Sequence, residues 1–260
     1  MGHIYRSTAI ASTLKKNHIC YFIGDRKTIF FIKKIDINFK KIQYLNLQNF
    51  YDKTKIFKPD IIINDRLDNS YSYISKIKKI SKRVISFEDN GTGNKFADLL
   101  VNELNYDITL NKNFLYGYKY FILRKEFFLK KKINFHFKVK SILITFGGTD
   151  PSNYTLKVIN LLNKYILNFR IKTYLVIGPG YKNKKGLTNR LKKIKNDFII
   201  LNQSVGKMSS IMSKVDIAIS SNGRTVLELA HMNIPGIIID QNKRESNHVF
   251  WKISNGFYNF

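Results

Sequence analysis

Three short runs in this 260-residue chain pair glycine with side chains able to move protons or hold anions. The first is Gly2-His3-Ile4-Tyr5-Arg6, which leads into STAIASTL. Glycine ahead of a helix lets the backbone approach a ligand closely, and the unpaired N–H groups of a helix start suit an anion. Imidazole is the side chain best matched to proton transfer near neutral pH, so His3 is a candidate acid/base, with Gly2 and Arg6 as candidate substrate-binding neighbours.

The second run is ITFGGTDPSN, residues 144–153, where an apolar stretch ends in Gly147-Gly148-Thr149-Asp150. Small residues there let backbone N–H groups face a phosphate, while Thr149 or Asp150 can cap a following helix. An ordinary tight strand-to-helix loop explains the same residues. The third run, ISSNGRTVLELAHMNIPGIIIDQN, is the most specific. Its strand-like start ends in Ser220-Ser221-Asn222-Gly223, and Thr225 opens a helix that carries Glu228. Amides at that helix start can hold a diphosphate, and Glu228, about one turn in, can accept hydrogen bonds from ribose hydroxyls. The alternative for Glu228 is an exposed helix position, which its neighbours Leu227, Leu229 and Ala230 argue against. The next apolar run delivers Gln241-Asn242 at its carboxyl end. The run GPG at 178–180 reads as a further loop of this kind. NDRLD and FEDNGTG close two more strands, so Asp65, Glu88 and Asp89 are expected to line the same ligand cleft. No Asp-x-Asp pair occurs, and the chemistry is therefore expected to need neither metal nor cofactor.

Positioning such residues needs a scaffold, and the pattern supplies one. Apolar, β-branched runs recur at HICYFIG, DIIIND, RVISFED, SILITFGG, KTYLVIG, DFIILNQ, DIAISS and PGIIID. Continuous runs of this type fit strands covered on both faces of a parallel sheet. Amphipathic helical stretches lie between many of them, including SYSYISKIKKIS, TLKVINLLNKYI, KGLTNRLKKIK, GKMSSIMSK and RTVLELAHM. The alternation predicts a doubly wound α/β fold. The basic stretch EFFLKKKINFHFKVK predicts a boundary near 130–139, dividing the chain into domains 1–135 and 136–260. Two such domains facing each other form a cleft at the carboxyl ends of their strands.

Composition narrows the function classes. With 44% hydrophobic and 14% aromatic residues the chain is globular in character. No apolar run approaches the ~18 residues of a membrane span, and the first residues lack the layout of a secretory signal. Cys20 is the single cysteine, which excludes an internal disulfide and fits a cytoplasmic location. The formal charge of +27 comes from 36 Lys and 9 Arg against 18 acidic residues. These lysines are spread along the chain without a zinc-finger, RRM or KH signature, so no specific nucleic-acid partner is expected. The charge suits an anionic substrate and peripheral association with a membrane surface. Oligomeric state is not legible.

In sequence order, the quoted motifs resemble a family of nucleotide-sugar hydrolases in pseudaminic acid synthesis, the UDP-2,4-diacetamido-2,4,6-trideoxy-β-L-altropyranose hydrolases. They also resemble relatives described as spore-coat polysaccharide biosynthesis glycosyltransferases. Both are similar in architecture to the transferase that adds N-acetylglucosamine to the peptidoglycan lipid precursor. The resemblance spans GHIYR, INDRLD, ISFEDNGTGNKFADLLVNEL, YFILRKEF, ILITFGGTDPSN, GPG, MSSIMSKVDIAISSNGRTVLELA and DQNKRESNH. It implies a two-domain GT-B fold, with the sugar or acceptor on the N-terminal side and UDP on the C-terminal side. It further implies inverting attack of water at the anomeric carbon, with His3 as acid/base and Asn242 matching the asparagine of an Asn-Gln element. Gly148, Thr149, Ser221, Asn222, Thr225 and Glu228 would hold UDP, beside Gly147, Gly223 and Gln241. Glycosyl transfer from a UDP-sugar is the alternative, because the same groups serve an acceptor hydroxyl as well as water.

Two departures stand out. Arg66 and Leu67 follow Asp65 where the hydrolases commonly carry a tyrosine, and Gln241-Asn242 reverses the usual order. The resemblance also implies an apolar strand and a further glycine ahead of Gly2-His3, and relatives that continue beyond Phe260. The chain is accordingly expected to be part of a longer product, lacking the first strand of its N-terminal sheet.

Overall fold

The computed structural model describes residues 2–35, 39–105, 112–129, 138–203 and 206–259. It divides into two compact units, Gly2–Arg124 and Lys125–Phe260. The boundary expected between residues 135 and 136 lies outside the described residues.

The N-terminal unit opens on α1 (Gly2–Leu14), followed by β1 (Tyr21–Gly24), α2 (Arg26–Ile35) and β2 (Lys40–Gln43). Next come α3 (Leu47–Phe57), β3 (Ile61–Asn64), α4 (Tyr71–Lys78), β4 (Arg83–Phe87), β5 (Leu99–Asn102) and β6 (Phe114–Tyr116). Local chemistry starts the helices: Asn46 accepts from Asn49 N at the head of α3, and Ser70 accepts from Tyr73 N at the head of α4. Strands β3, β4, β5 and β6 pair in that order, all parallel, while β1 and β2 form a separate parallel pair. No described strand joins the two sheets. Phe50, Tyr73, Ile74, Ile77, Val84 and Ala97 make the core under them.

The C-terminal unit runs α5 (Lys125–Phe128), β7 (Ser141–Thr145), α6 (Tyr154–Asn168), β8 (Lys172–Ile177), α7 (Lys184–Ile194) and β9 (Ile199–Gln203). It continues with α8 (Met208–Met212), β10 (Ile217–Ser221), α9 (Arg224–His231), β11 (Gly236–Ile239), α10 (Lys243–Ser246) and β12 (Phe257–Asn259). The six strands form one parallel sheet in the order β12-β11-β10-β7-β8-β9. Every residue of β7 is buried, as a strand covered on both faces requires. From β7 the chain builds outward through β8 and β9, then returns to the other side of β7 with β10. That reversal lies between β7 and β10, at the point where doubly wound sheets bind ligands beyond their strand ends.

All eight strand runs read from the sequence are strands. Four others were not anticipated: β2, β5, β6 and β12. Two of them, β6 and β12, are only three residues long, and β2, with the sequence KKIQ, has almost no apolar pattern. The stretch around β5, ADLLVNEL, has leucines at helical spacing, and only the partners on either side draw Leu99–Asn102 into the sheet. Among the described residues no helix is long and apolar enough to cross a membrane.

Candidate active site

In the N-terminal unit three acidic residues each stand one position beyond neighbouring parallel strands: Asp65 after β3, Glu88 after β4 and Glu103 after β5. All three face Arg6 of α1. Arg6 Nε donates to Asp65 Oδ2 at 2.9 Å and Nη2 to Asp65 Oδ1 at 2.5 Å. Its Nη1 donates to Glu103 Oε2 at 3.3 Å and lies 3.6 Å from Glu88 Oε1. The guanidinium rests over the Phe87 ring, 4.9 Å from its centre. Arg6 is 1% exposed, so its charge is met inside the protein and not by solvent.

Asp65 also meets the first turns of α1. Ser7 Oγ donates to Oδ2 at 3.1 Å, and His3 Nδ1 lies 2.5 Å from Oδ1. Burial alone would raise the Asp65 carboxyl, but hydrogen bonds from His3 and Arg6 and the charge of Arg6 win and hold it at about 2. Asp65 is therefore a carboxylate and can only accept. The proton of the His3–Asp65 contact must then sit on Nδ1, and in the neutral ring this leaves the Nε2 lone pair for chemistry. The 3.2 Å approach of Arg6 Nη2 to His3 Nδ1 is accordingly two donors sharing one oxygen. The His3 side chain is 36% exposed, whereas that of Asp65 is 5% exposed: the ring reaches solvent and its anchor does not.

Burial opposes the charge on Arg6 as well, yet Asp65, Glu103 and Glu88 outweigh it and raise the guanidinium above its usual range. The acids have fixed positions of their own. Glu88 Oε1 accepts from Glu103 N at 2.6 Å and Leu104 N at 3.2 Å, and Glu103 Oε1 accepts from Ile122 N at 3.2 Å. Asp89 departs from the expected cleft position. It is fully buried, with Oδ1 accepting from Asn69 N and Gly91 N, both at 2.9 Å, and Oδ2 from Asn69 Nδ2 at 2.7 Å. Arg66, one of the two residues noted in the sequence as a departure, lies over the ring of Tyr73 at 4.8 Å.

In the C-terminal unit, four loops leave one edge of the sheet side by side, because β11, β10, β7 and β8 are adjacent and parallel. Gly147, after β7, has φ +74, a conformation that strains any side chain, and a Cβ built there meets only Ser221 Oγ at 3.9 Å. Gly223 is equally open, with Ser221 Oγ 4.0 Å away, and as the N-cap of α9 it brings no side chain to the helix start. Gly147, Ser221 and Gly223 thus border one open space at the β7/β10 reversal. Gly148 serves differently: a Cβ on Gly178 would stand 2.4 Å from Gly148 Cα, and Gly180 N donates to Gly148 O at 2.9 Å. The GPG loop therefore packs on the Gly-Gly loop and shapes it, leaving Thr149 exposed. Asp150 is a cap, accepting from Tyr154 N at 2.8 Å and Thr155 N at 2.9 Å at the start of α6.

Glu228 is buried, as its apolar neighbours indicated, and Thr225 is half-buried one turn before it. Asn222 is 2% exposed and engaged in the fold: its Nδ2 donates to Glu245 O at 2.8 Å and His248 O at 3.2 Å, while His248 Nδ1 meets Asn222 O. Gln241 Nε2 donates to Phe146 O at 3.2 Å, joining the β11 and β7 loops. Asn242 stands exposed at the head of α10, where its Oδ1 accepts from Arg244 N at 3.0 Å and Glu245 N at 3.1 Å.

Of the residues singled out from the sequence, His3, Arg6 and Asp65 come together in the N-terminal unit. Gly147, Gly148, Thr149, Ser221, Asn222, Gly223, Thr225, Glu228, Gln241 and Asn242 lie on the loops and helix starts at one sheet edge of the C-terminal unit. Glu103 and Ser7 were missed. The signal for Glu103 was present as a repeated pattern, an apolar strand closed by an acid, in IIIND, VISFE and LLVNE.

Two Rossmann-like units of parallel strands alternating with helices define a GT-B-type architecture. The crystal structure of Acinetobacter baumannii MurG superposes with a TM-score of 0.62 at 12% identity, covering 99% of this chain and 83% of that one. No family model matches the chain. An uncharacterised protein of Methanocaldococcus jannaschii is 35% identical over 94% of this chain, which spans 53%, about half, of that relative's length. The spore coat polysaccharide biosynthesis protein SpsG of Bacillus subtilis is 24% identical, covering 93% of this chain and 74% of that protein.

Proposed function

We propose that the chain processes a UDP-sugar in cell-surface glycan synthesis, with the C-terminal unit supplying the nucleotide site and His3 the base. The observation that carries this reading is the open space bordered by Gly147, Ser221 and Gly223 before the start of α9, whose N-cap is a glycine. Backbone amides there suit a diphosphate and meet the charge that develops on UDP as it leaves. Glu228, one turn into α9, is the ribose partner, and Gln241 and Asn242 supply carboxamides at the neighbouring loop. The Nε2 lone pair of His3 takes the proton of the attacking oxygen, and Asp65 steadies the imidazolium that results. Sequence similarity to SpsG, a polysaccharide biosynthesis protein, supports the biosynthetic setting.

Two reactions use these groups. In hydrolysis, water attacks the anomeric carbon of a UDP-linked diacetamido-trideoxy sugar with inversion, the reading that the motif resemblance supports. In glycosyl transfer an acceptor hydroxyl replaces water, and the spore-coat relationship supports that reading equally. Incubation with UDP-sugars, with and without acceptor alcohols, separates them: UDP released in water alone assigns a hydrolase, and release that requires the acceptor assigns a transferase. His3→Ala is expected to abolish UDP release while keeping the thermal shift produced by UDP. Absence of any UDP-dependent thermal shift in the unaltered protein refutes the nucleotide site.

A further inference from the structure

Arg6 was expected at the substrate, and its surroundings argue for another task. Its Nε and Nη2 grip both oxygens of Asp65, and Nη1 is turned toward Glu103 and Glu88. A guanidinium donates only in the plane of its fork, and here the fork is occupied by carboxylates drawn from the ends of three adjacent strands. Balancing one buried arginine takes one acid. Glu88 and Glu103 bring two more charges into a region where each unpaired ion costs several kcal/mol. Both are fastened to backbone N–H groups, so they act as fixed stops for the guanidinium. Asp65, gripped on both oxygens, has one orientation, and His3 Nδ1 follows it.

We propose that Arg6, seated by Glu88 and Glu103, is the positioning residue that locks Asp65 and, through it, the His3 ring with Nε2 outward, and that it does not bind substrate. The inference rests on the assignment of His3 as the base.

Arg6→Lys separates grip from charge, because an ammonium keeps the positive charge but cannot hold two carboxylate oxygens in parallel. Long-range 1H–15N spectra of the His3 ring in the full chain are expected to show a single Nδ1–H tautomer for the unaltered protein. Arg6→Lys is expected to give a mixture of tautomers with an unchanged far-UV CD spectrum. The rate kcat of UDP release is expected to fall about tenfold or more, the scale seen when the partner that orients a metal-bound histidine is removed, with KM within about twofold. Glu103→Gln, which removes one charge and keeps only one of the two acceptor oxygens, is expected to shift both readouts the same way by less, and it decides the matter if Arg6→Lys does not fold. A folded variant that keeps the single tautomer overturns the proposal. So does a raised KM with unchanged kcat, which would return Arg6 to the substrate. If the unaltered protein turns over no UDP-sugar, the functional reading fails, while the His3 spectra still decide the positioning role.

Discussion

Acid is expected to weaken the N-terminal unit through Asp65. The carboxyl is held at about 2 in the folded chain against an ordinary value of 3.8, and its side chain is 5% exposed. A depressed carboxyl contributes stability that is fully present above its unfolded value and disappears as pH falls through the folded one. The difference is worth about 2 kcal/mol at roughly 1.4 kcal/mol per tenfold change in proton affinity. Roughly half of that is lost by pH 3 and most of it by pH 2. Asp65→Asn cannot ionise, so the stability gap between the unaltered protein and this variant is expected to narrow by about 2 kcal/mol between pH 6 and pH 2. Urea titrations followed by far-UV CD at several pH values measure the gap. The 13C resonance of the Asp65 carboxyl gives an independent reading, with an expected midpoint near 2. A gap that does not change with pH, or a carboxyl titrating near 3.8, refutes the clamp of His3 and Arg6 on Asp65.

Two further perturbations test the C-terminal loops. Gly178→Ala drives a Cβ to 2.4 Å from the Gly148 backbone, whereas Gly206→Ala meets nothing within 4 Å. Thermal melts are expected to show a loss of about 1–3 kcal/mol for the first and a change within about 0.5 kcal/mol for the second. Asn222→Ala strips the donors from the carbonyls of Glu245 and His248; a destabilisation of about 1–3 kcal/mol is expected from the buried groups left unpaired. The same variant is expected to weaken the thermal shift with UDP, because the 245–248 segment carries the Asn242 loop.

The C-terminal unit was more legible than the N-terminal one, and burial explains why. Strands such as Ser141–Thr145 and Lys172–Ile177 are covered on both faces, so their apolar runs are continuous and readable. Strands β1, β2 and β3 are only partly buried, which blunts the pattern, and β2 with the sequence KKIQ carries almost none. Loops at strand ends were legible too, since glycine and small polar residues mark them. Partnership was not. Gly148 looks like a phosphate-loop residue in sequence, yet it is shaped by the packing of Gly178, and of the two caps the sequence offered, Thr149 and Asp150, only the structure shows Asp150 at the head of α6.

What the sequence by itself determined is the alternation of strand and helix, and with it the edge of each sheet on which the reactive residues fall. Parallel βαβ connection sends every strand's carboxyl end the same way, so position in the chain suffices to say that Asp65 and Glu88 emerge together, while Glu103 joins them only through the unanticipated β5. What only the tertiary structure decided is their allegiance. Arg6 lies 59 residues from Asp65 and 97 from Glu103 along the chain, and nothing local tells a guanidinium that binds a ligand from one consumed by three carboxylates. That depends on which strands become neighbours and on the exclusion of water between them. A side chain's role is then set by the groups that remain to satisfy it.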